Sequence, residues 1–356
     1  MHSFFQKLKP HGNSIAFVLG FIWDNFMLSR IDHGFVNIML GSYLTISLLC
    51  IFGLNKHEDK RMKTGDIRKY SRWLIFIVQF CFGSLVSGYL ILYARSASFA
   101  ENWPFIVFLV LLVFSNELFH RHYTRLTFQL SFFFILLFSY DIFSLPVLLG
   151  NMGVSVFIMS GFVSLILISC VGFLIKRIAP EVFARSRLWL RTSIVLIYIL
   201  FNIAYFTNII PPVPLALKEI GIYHAVSRAD DGSYILQFEP GRWFPFFSKP
   251  SGLFHKTADG PIFVWTRVFA PTKLFVPIFY RWMKYDGAKW ITINRLEFPI
   301  VGGRDDGYRG YSKKTNADPG RWRVDVETAR GELIGRTEFE IIATTTPLSN
   351  LVTETR

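Results

Sequence analysis

Hydrophobic and polar positions follow two different patterns along this chain, and the change comes at Pro211-Pro212-Val213-Pro214. Before it lie six long apolar runs: Phe35–Gly53, Trp73–Tyr93, Trp103–Leu118, Leu126–Leu149, Gly153–Ile175 and Leu188–Ile210. Most reach the ~20 residues that cross ~30 Å of hydrocarbon as a helix. Trp103–Leu118 is short and borrows Asn116 and Glu117 as an interfacial end. Ser14–Leu28, interrupted by Asp24, is marginal: it reads as a seventh span or as a helix lying in the interface plane, and the flanking charges fit the span. Trp73, Tyr93, Trp103, Trp189 and Tyr205 stand near run ends, where amphipathic rings prefer the membrane boundary.

After the prolines the period falls to two. In Gly320–Glu327, Trp322, Val324 and Val326 point one way while Arg321, Arg323, Asp325 and Glu327 point the other, which predicts a half-buried antiparallel strand. Leu333–Ile342 reads as its partner across a turn at Gly331-Glu332. Further strands are predicted at Ile220–Ser227, Ser233–Phe238, Ile262–Phe269, Leu274–Met283 and Lys289–Phe298, separated by Asp-Gly turns. Strands so spaced argue a sandwich or barrel, and an all-β immunoglobulin-like sandwich is expected. The chain thus divides into a helical transmembrane bundle (1–210, six to seven spans), a short stiff connector (211–214) and an extramembrane β domain (215–356).

Composition agrees: 52% of residues are hydrophobic and 38 are Phe. The net charge of +13 is uneven. Through Pro214 there are 18 Lys+Arg against 9 Asp+Glu; from Leu215 onward, 20 against 16. The excess is membrane-flanking charge, so nucleic acid is excluded as a partner. The loop after the first run carries Lys56, Lys60, Arg61, Lys63, Arg68, Lys69 and Arg72, and the next only Arg95. The third has Arg121 and Arg125, the fourth none, and the fifth Lys176, Arg177, Arg185 and Arg187. By the positive-inside rule the basic loops are cytoplasmic, which puts the β domain outside, in the periplasm of a cell with two membranes. Lys7 and Lys9 precede an apolar stretch without a small-residue cleavage site, so the first segment is expected to stay attached. The expected partners are the lipid bilayer and an envelope protein or glycan.

Candidate chemistry is sparse. Cys50, Cys81 and Cys170 lie in apolar runs and read as small buried hydrophobes, leaving the β domain without a disulfide framework. Gly302–Ser312 is the densest polar cluster. There Arg304, Asp305, Asp306, Tyr308, Arg309 and Tyr311 could fork onto phosphate or carboxylate and stack on sugars, or the acids could simply pair with the arginines in a glycine-rich loop. Asp305-Asp306-Gly307 lacks the ligand spacing of a calcium loop. Glu117 and His120 are one helical turn apart, but no second cluster completes a metal site, and interfacial anchoring explains them. Asp24 and Asp141 are the carboxylates set among apolar residues, with Asn202 a candidate bond between helices. His224 and His255 stand in no nucleophile or zinc pattern, no phosphate-binding glycine loop is present, and no cofactor is implied.

Val268-Phe269-Ala270-Pro271-Thr272, Tyr280-Arg281-Trp282, the loop Gly302–Ser312 and the hairpin Pro319–Gly335 together resemble a bacterial family of polytopic inner-membrane proteins that end in a β-rich domain of unknown function. Gly20–Asp24 and Arg30-Ile31-Asp32 resemble that family's opening segment. The resemblance implies architecture and no activity. Tyr280 stands where His is expected in many relatives, so no catalytic histidine is implied there. The expectation is an inner-membrane protein whose outward β domain binds a glycan, an anionic headgroup or a partner protein without catalysis. The alternative is a transporter or lipid-handling protein that uses the intramembrane carboxylates.

Overall fold

The computed structural model of the protein describes residues 34–64, 68–118, 120–240, 252–258, 260–271, 274–301, 307–345, 348 and 350–356. Ser14–Leu28, with Asp24, lies outside them. The chain divides into two compact units, one of residues 1–94 and 102–210, the other of residues 95–101 and 211–356.

Among the described residues the helical part of the chain holds six α-helices: α1 (Gly34–Thr64), α2 (Arg68–Ser96), α3 (Phe99–Leu118), α4 (Leu126–Leu149), α5 (Val154–Ile178) and α6 (Pro180–Phe206). Five contain segments long and apolar enough to cross a membrane, as a multi-pass membrane protein requires: Phe35–Asp59, Trp73–Ser96, Leu126–Leu149, Val154–Ile178 and Pro180–Phe206. The apolar part of α3, Glu101–Ser115, is shorter.

The helices overrun their apolar runs. Only Ala179 separates α5 from α6, so Lys176, Arg177, Arg185 and Arg187, expected in a loop, lie on helix. Hydropathy marks only the lipid-facing length, whereas Lys and Arg are themselves good helix formers and continue the backbone ladder. Pro180 suits the first turn of α6, where its missing N–H has no intrahelical partner anyway. Asp59 of α1 accepts the Glu181 N–H at 3.1 Å and so caps that same end. Gly150 closes α4 with φ at 65°.

Helix α4 is the hub, and most of its side chains are buried. Phe138 stacks on Phe157, Tyr198 and Phe201, with centroids 4.8–5.8 Å apart. Gly161 of α5 lets Tyr198 and Phe138 approach to where a Cβ would collide. Cys50 and Cys81 are buried as expected, but Cys170 is exposed on the outside of α5. A 3-10 turn, His120–Thr124, joins α3 to α4. Glu117 and His120 flank that junction; the side chain of each lies outside the described set.

Among the described residues from 211 onward there are eleven strands and no helix. A five-stranded sheet runs β4 (Leu253–Lys256), β10 (Leu333–Ala343), β9 (Gly320–Thr328), β6 (Phe275–Tyr285), β7 (Trp290–Val301). All its pairs are antiparallel except β4 with β10. A three-stranded sheet orders β1 (Ala216–Tyr223), β5 (Ile262–Phe269) and β8 (Tyr308–Lys314). A third orders β11 (Val352–Thr355), β3 (Tyr234–Phe238) and β2 (Ala225–Arg228).

Alternation decides which side of each strand is core. Val276, Ile278, Tyr280 and Trp282 of β6, with Trp322, Val324 and Val326 of β9, are buried. They face β5 and β8, where the Trp282 indole N–H donates to Ser312 Oγ at 2.9 Å and Tyr280 bonds Thr266. A second, smaller core (Tyr223, Leu236, Phe238 and Trp265) lies on the other side of β5. Three strands were not foreseen: β4 and β11, each four residues long, and β8, whose residues were read as loop.

Gly310 of β8 stands where an added Cβ would fall 2.0 Å from the Phe298 ring. Gly310→Ala is therefore expected to cost about 1–3 kcal/mol by overpacking, measured as a lower thermal midpoint of the full chain in detergent. An unchanged midpoint would mean that the ring swings aside at no cost.

Candidate functional site

Successive residues of a strand point to opposite faces, and β8 sorts the predicted binding motif accordingly. Tyr308 turns toward Phe298, with ring centroids 5.7 Å apart. Arg309 and Tyr311 share the other face with Lys313, opposite Arg267, Trp265 and Phe263 of β5. Tyr311 is 43% exposed and leans edge-on against Phe263 at 5.8 Å and Tyr234 at 6.5 Å. Lys313 sits 5.8 Å over the Phe263 ring. Arg267 pairs with Glu219 at 3.6 Å, and Asp231 feels the positive field of Arg309. The result is an aromatic ledge flanked by cations on the edge strand of its sheet. Arg304, Asp305 and Asp306 lie outside the described residues.

The opposite sheet carries a site that sequence reasoning missed. On its outer face the Asp325 carboxylate is completely buried and the Glu327 carboxylate is 2% exposed. Arg281 reaches Asp325 and Glu327, each at 3.1 Å, and Arg295 reaches Glu327 at 2.8 Å. Arg336 grips Asp325 with two nitrogens, at 2.7 and 3.0 Å, and Arg323 approaches it at 3.4 Å. Strand alternation had assigned both acids to solvent. Guanidinium groups from four strands roof them over instead, their aliphatic stems covering the sheet.

A third cluster joins β2, β3 and β4. Glu239 accepts the His224 ring at 2.8 Å, the His255 ring at 2.7 Å and the His255 backbone N–H at 2.7 Å. The His224 ring stacks on Phe254, with centroids 4.1 Å apart. Burial opposes the ionised carboxyl, but these three hydrogen bonds outweigh it and hold Glu239 below the usual glutamate range. Among the described residues no group of His, Cys, Asp and Glu is arranged to hold a metal.

In the helical unit, Asp141 is buried on α4 beside α5. The Ser164 hydroxyl donates to its Oδ2 at 2.6 Å, and the Ser160 hydroxyl to its backbone carbonyl at 3.1 Å. Among the described residues no cation pairs with it. Asn202, expected to bond across helices, donates instead to Tyr198 O of its own helix at 2.8 Å. Asn55 does bridge helices, donating to Gln129 at 2.7 Å.

Residues 277–341, from β6 to most of β10, match a family described as a protein of unknown function, DUF2914. That segment contains Arg309, Tyr311 and the whole Asp325–Glu327 network. No curated protein matches the chain. Among solved structures, Pseudomonas fluorescens alkylpurine DNA glycosylase AlkC, bound to DNA containing an abasic site analog, aligns over 86% of this chain and 98% of its own at 11% identity. Its TM-score of 0.19 carries no argument about fold or function.

Asp325→Ala should take a partner from three arginines and cost about 3 kcal/mol, the low end for a broken buried pair because the guanidiniums keep some water. Chemical denaturation of the full chain measures it, and a loss under ~1 kcal/mol would place the acid among ordinary surface pairs. For Glu239 the folded pKa lies below the unfolded value of about 4.3. Its stabilisation is therefore full above that pH and is lost as pH falls through the folded value. Glu239→Gln should flatten the acid limb of the stability–pH curve, and an unchanged limb would contradict this account.

Proposed function

We propose that the chain is a bacterial inner-membrane protein of six or seven spans whose C-terminal domain, an immunoglobulin-like β-sandwich, faces the periplasm and binds an envelope component without catalysing a reaction. The orientation rests on the alternation of basic loops. The observation that carries the binding reading is the ledge on β8, where exposed Tyr311 shares one strand face with Arg309 and Lys313 and is buttressed by Phe263 and Tyr234. A tyrosine ring offers an apolar plane to a sugar, while guanidinium and ammonium groups beside it recognise an acid. Of glycan, anionic headgroup and partner protein, a glycan bearing acidic groups uses both features. The match of residues 277–341 to a family of unknown function sets no other activity against it.

A second reading is favoured by Asp141, a buried carboxyl bonded only to a hydroxyl among the described residues. Intramembrane carboxyls default to relay or substrate contact, so transport or lipid handling is the alternative.

The full chain in nanodiscs, challenged with matched acidic and neutral oligosaccharides, separates the two. Arg309→Ala with Tyr311→Ala is expected to weaken retention of the acidic set by about tenfold or more, while Asp141→Asn leaves it unchanged. Equal retention by wild type and the double variant would sink the ledge as the binding surface.

A further inference from the structure

Helices α5 and α6 form an antiparallel hairpin with a cavity of about 630 Å³ along its seam. Its walls mix apolar and basic residues. Lys176 lies within one helical turn of Ala179, Arg187 and Arg191 lie about 12 and 18 Å from it along α6, and Phe173, Phe183, Leu190 and Ile194 are interleaved with them. At Gly172 an added Cβ would meet Phe183 in ordinary contact at 3.8 Å, so a longer side chain there would extend into the groove. Arg187 and Arg191 are one helical turn apart, about 6 Å along the axis, so both look into the same groove.

None of these three cations has an ion pair or hydrogen bond among the described residues, and all three are exposed. Their neighbour Arg177 lies over the Phe173 ring at 4.7 Å. The hairpin, residues 154–206, holds five Lys+Arg (176, 177, 185, 187, 191) against the one acid Glu181. The backbone N–H of Glu181 is bound to Asp59, outside the cavity. Three uncompensated positive charges in a groove lined also by apolar side chains, on a hairpin of two helices long and apolar enough to span a membrane, suit an occupant with an anionic head and a hydrocarbon body.

We propose that this groove is a binding site for one anionic phospholipid. Lys176, Arg187 and Arg191 hold the phosphate, and an acyl chain runs on from them against Ile168, Leu190 and Ile194. Basic pockets between helices at the cytoplasmic boundary are suited to such head groups, and the positive-inside pattern puts this turn there. The site does not depend on the ledge of β8 and stands whether or not that surface binds a glycan.

Native mass spectrometry of the delipidated full chain, titrated with phosphatidylglycerol or phosphatidylcholine of the same acyl composition, tests it. Wild type is expected to retain one phosphatidylglycerol preferentially. Lys176→Gln with Arg187→Gln and Arg191→Gln should lose that preference by about a hundredfold, at roughly fivefold per cation. The charge-keeping variant Arg187→Lys with Arg191→Lys should retain it. Gly172→Leu, which extends into the groove and leaves the cations in place, should lose the lipid as well, so misfolding of the triple variant alone cannot decide the matter. Equal retention of both lipids, or undiminished preference in the triple variant, overturns the proposal. So does full displacement by millimolar glycerol 3-phosphate, which would make this a site for free phosphate esters.

Discussion

Hydrocarbon offers a polar group no partner, so a helix that carries one must find its mate on a neighbouring helix. In this chain those bonds converge on α4. Tyr93 donates to the Ser139 carbonyl at 2.9 Å, Ser144 to Asn37 at 2.8 Å and Asn55 to Gln129 at 2.7 Å. Ser160 and Ser164 bind Asp141 from α5. Apolar packing alone distinguishes poorly between rotations of a helix among lipid tails, because the tails are as apolar as leucine. Directional bonds at four levels of α4 fix those rotations, and the phenylalanine stack around Phe138 fills in behind them. The same arrangement sets the outward faces of α5 and α6, where the basic residues of the hairpin meet the boundary.

The β unit meets the same constraint by different means. Asp325 and Glu327 stand on the outer face of a sheet, where strand alternation alone would leave them in water. Arginines from β6, β7, β9 and β10 close over them, and every pair but Arg323–Asp325, which lies within β9, crosses from strand to strand. Glu327 of β9 pairs with Arg281 of β6 and with Arg295 of β7, so one carboxylate ties three strands together. A slip of the β6–β9 pairing by one residue would place arginine against valine and bury unpaired charge. Charge on this face thus helps set the register that the tryptophans on the opposite face also require.

What could be read from the sequence follows from which signals are local. The apolar runs and the alternation of Gly320–Glu327 are periodic over several residues, and both appear in the structure as helices and as β9. The helix ends were misjudged because hydropathy does not record that Lys and Arg continue a helix. Strand β4 has four residues and pairs in parallel with β10 far along the chain, so nothing near Leu253 announces it. Burial of Asp325 was equally invisible, since it depends on arginines 11 to 44 positions away. For the candidate site, residue types were legible and their grouping was not. Tyr308, Arg309 and Tyr311 are neighbours in sequence, but only the last two share a face.

That division turns on Gly310. A glycine inside a strand weakens it unless something needs the space, and here the Phe298 ring occupies the place where a side chain would stand. The ring packs on Tyr308 and Tyr280 and so pins the core side of β8. With that face committed to the core, Arg309 and Tyr311 on either side of the glycine have no inward position available. Packing on one side of the strand thereby orients the polar ledge on the other. A mutation at Phe298, which touches none of the ledge residues, would disturb the ledge through the backbone of β8.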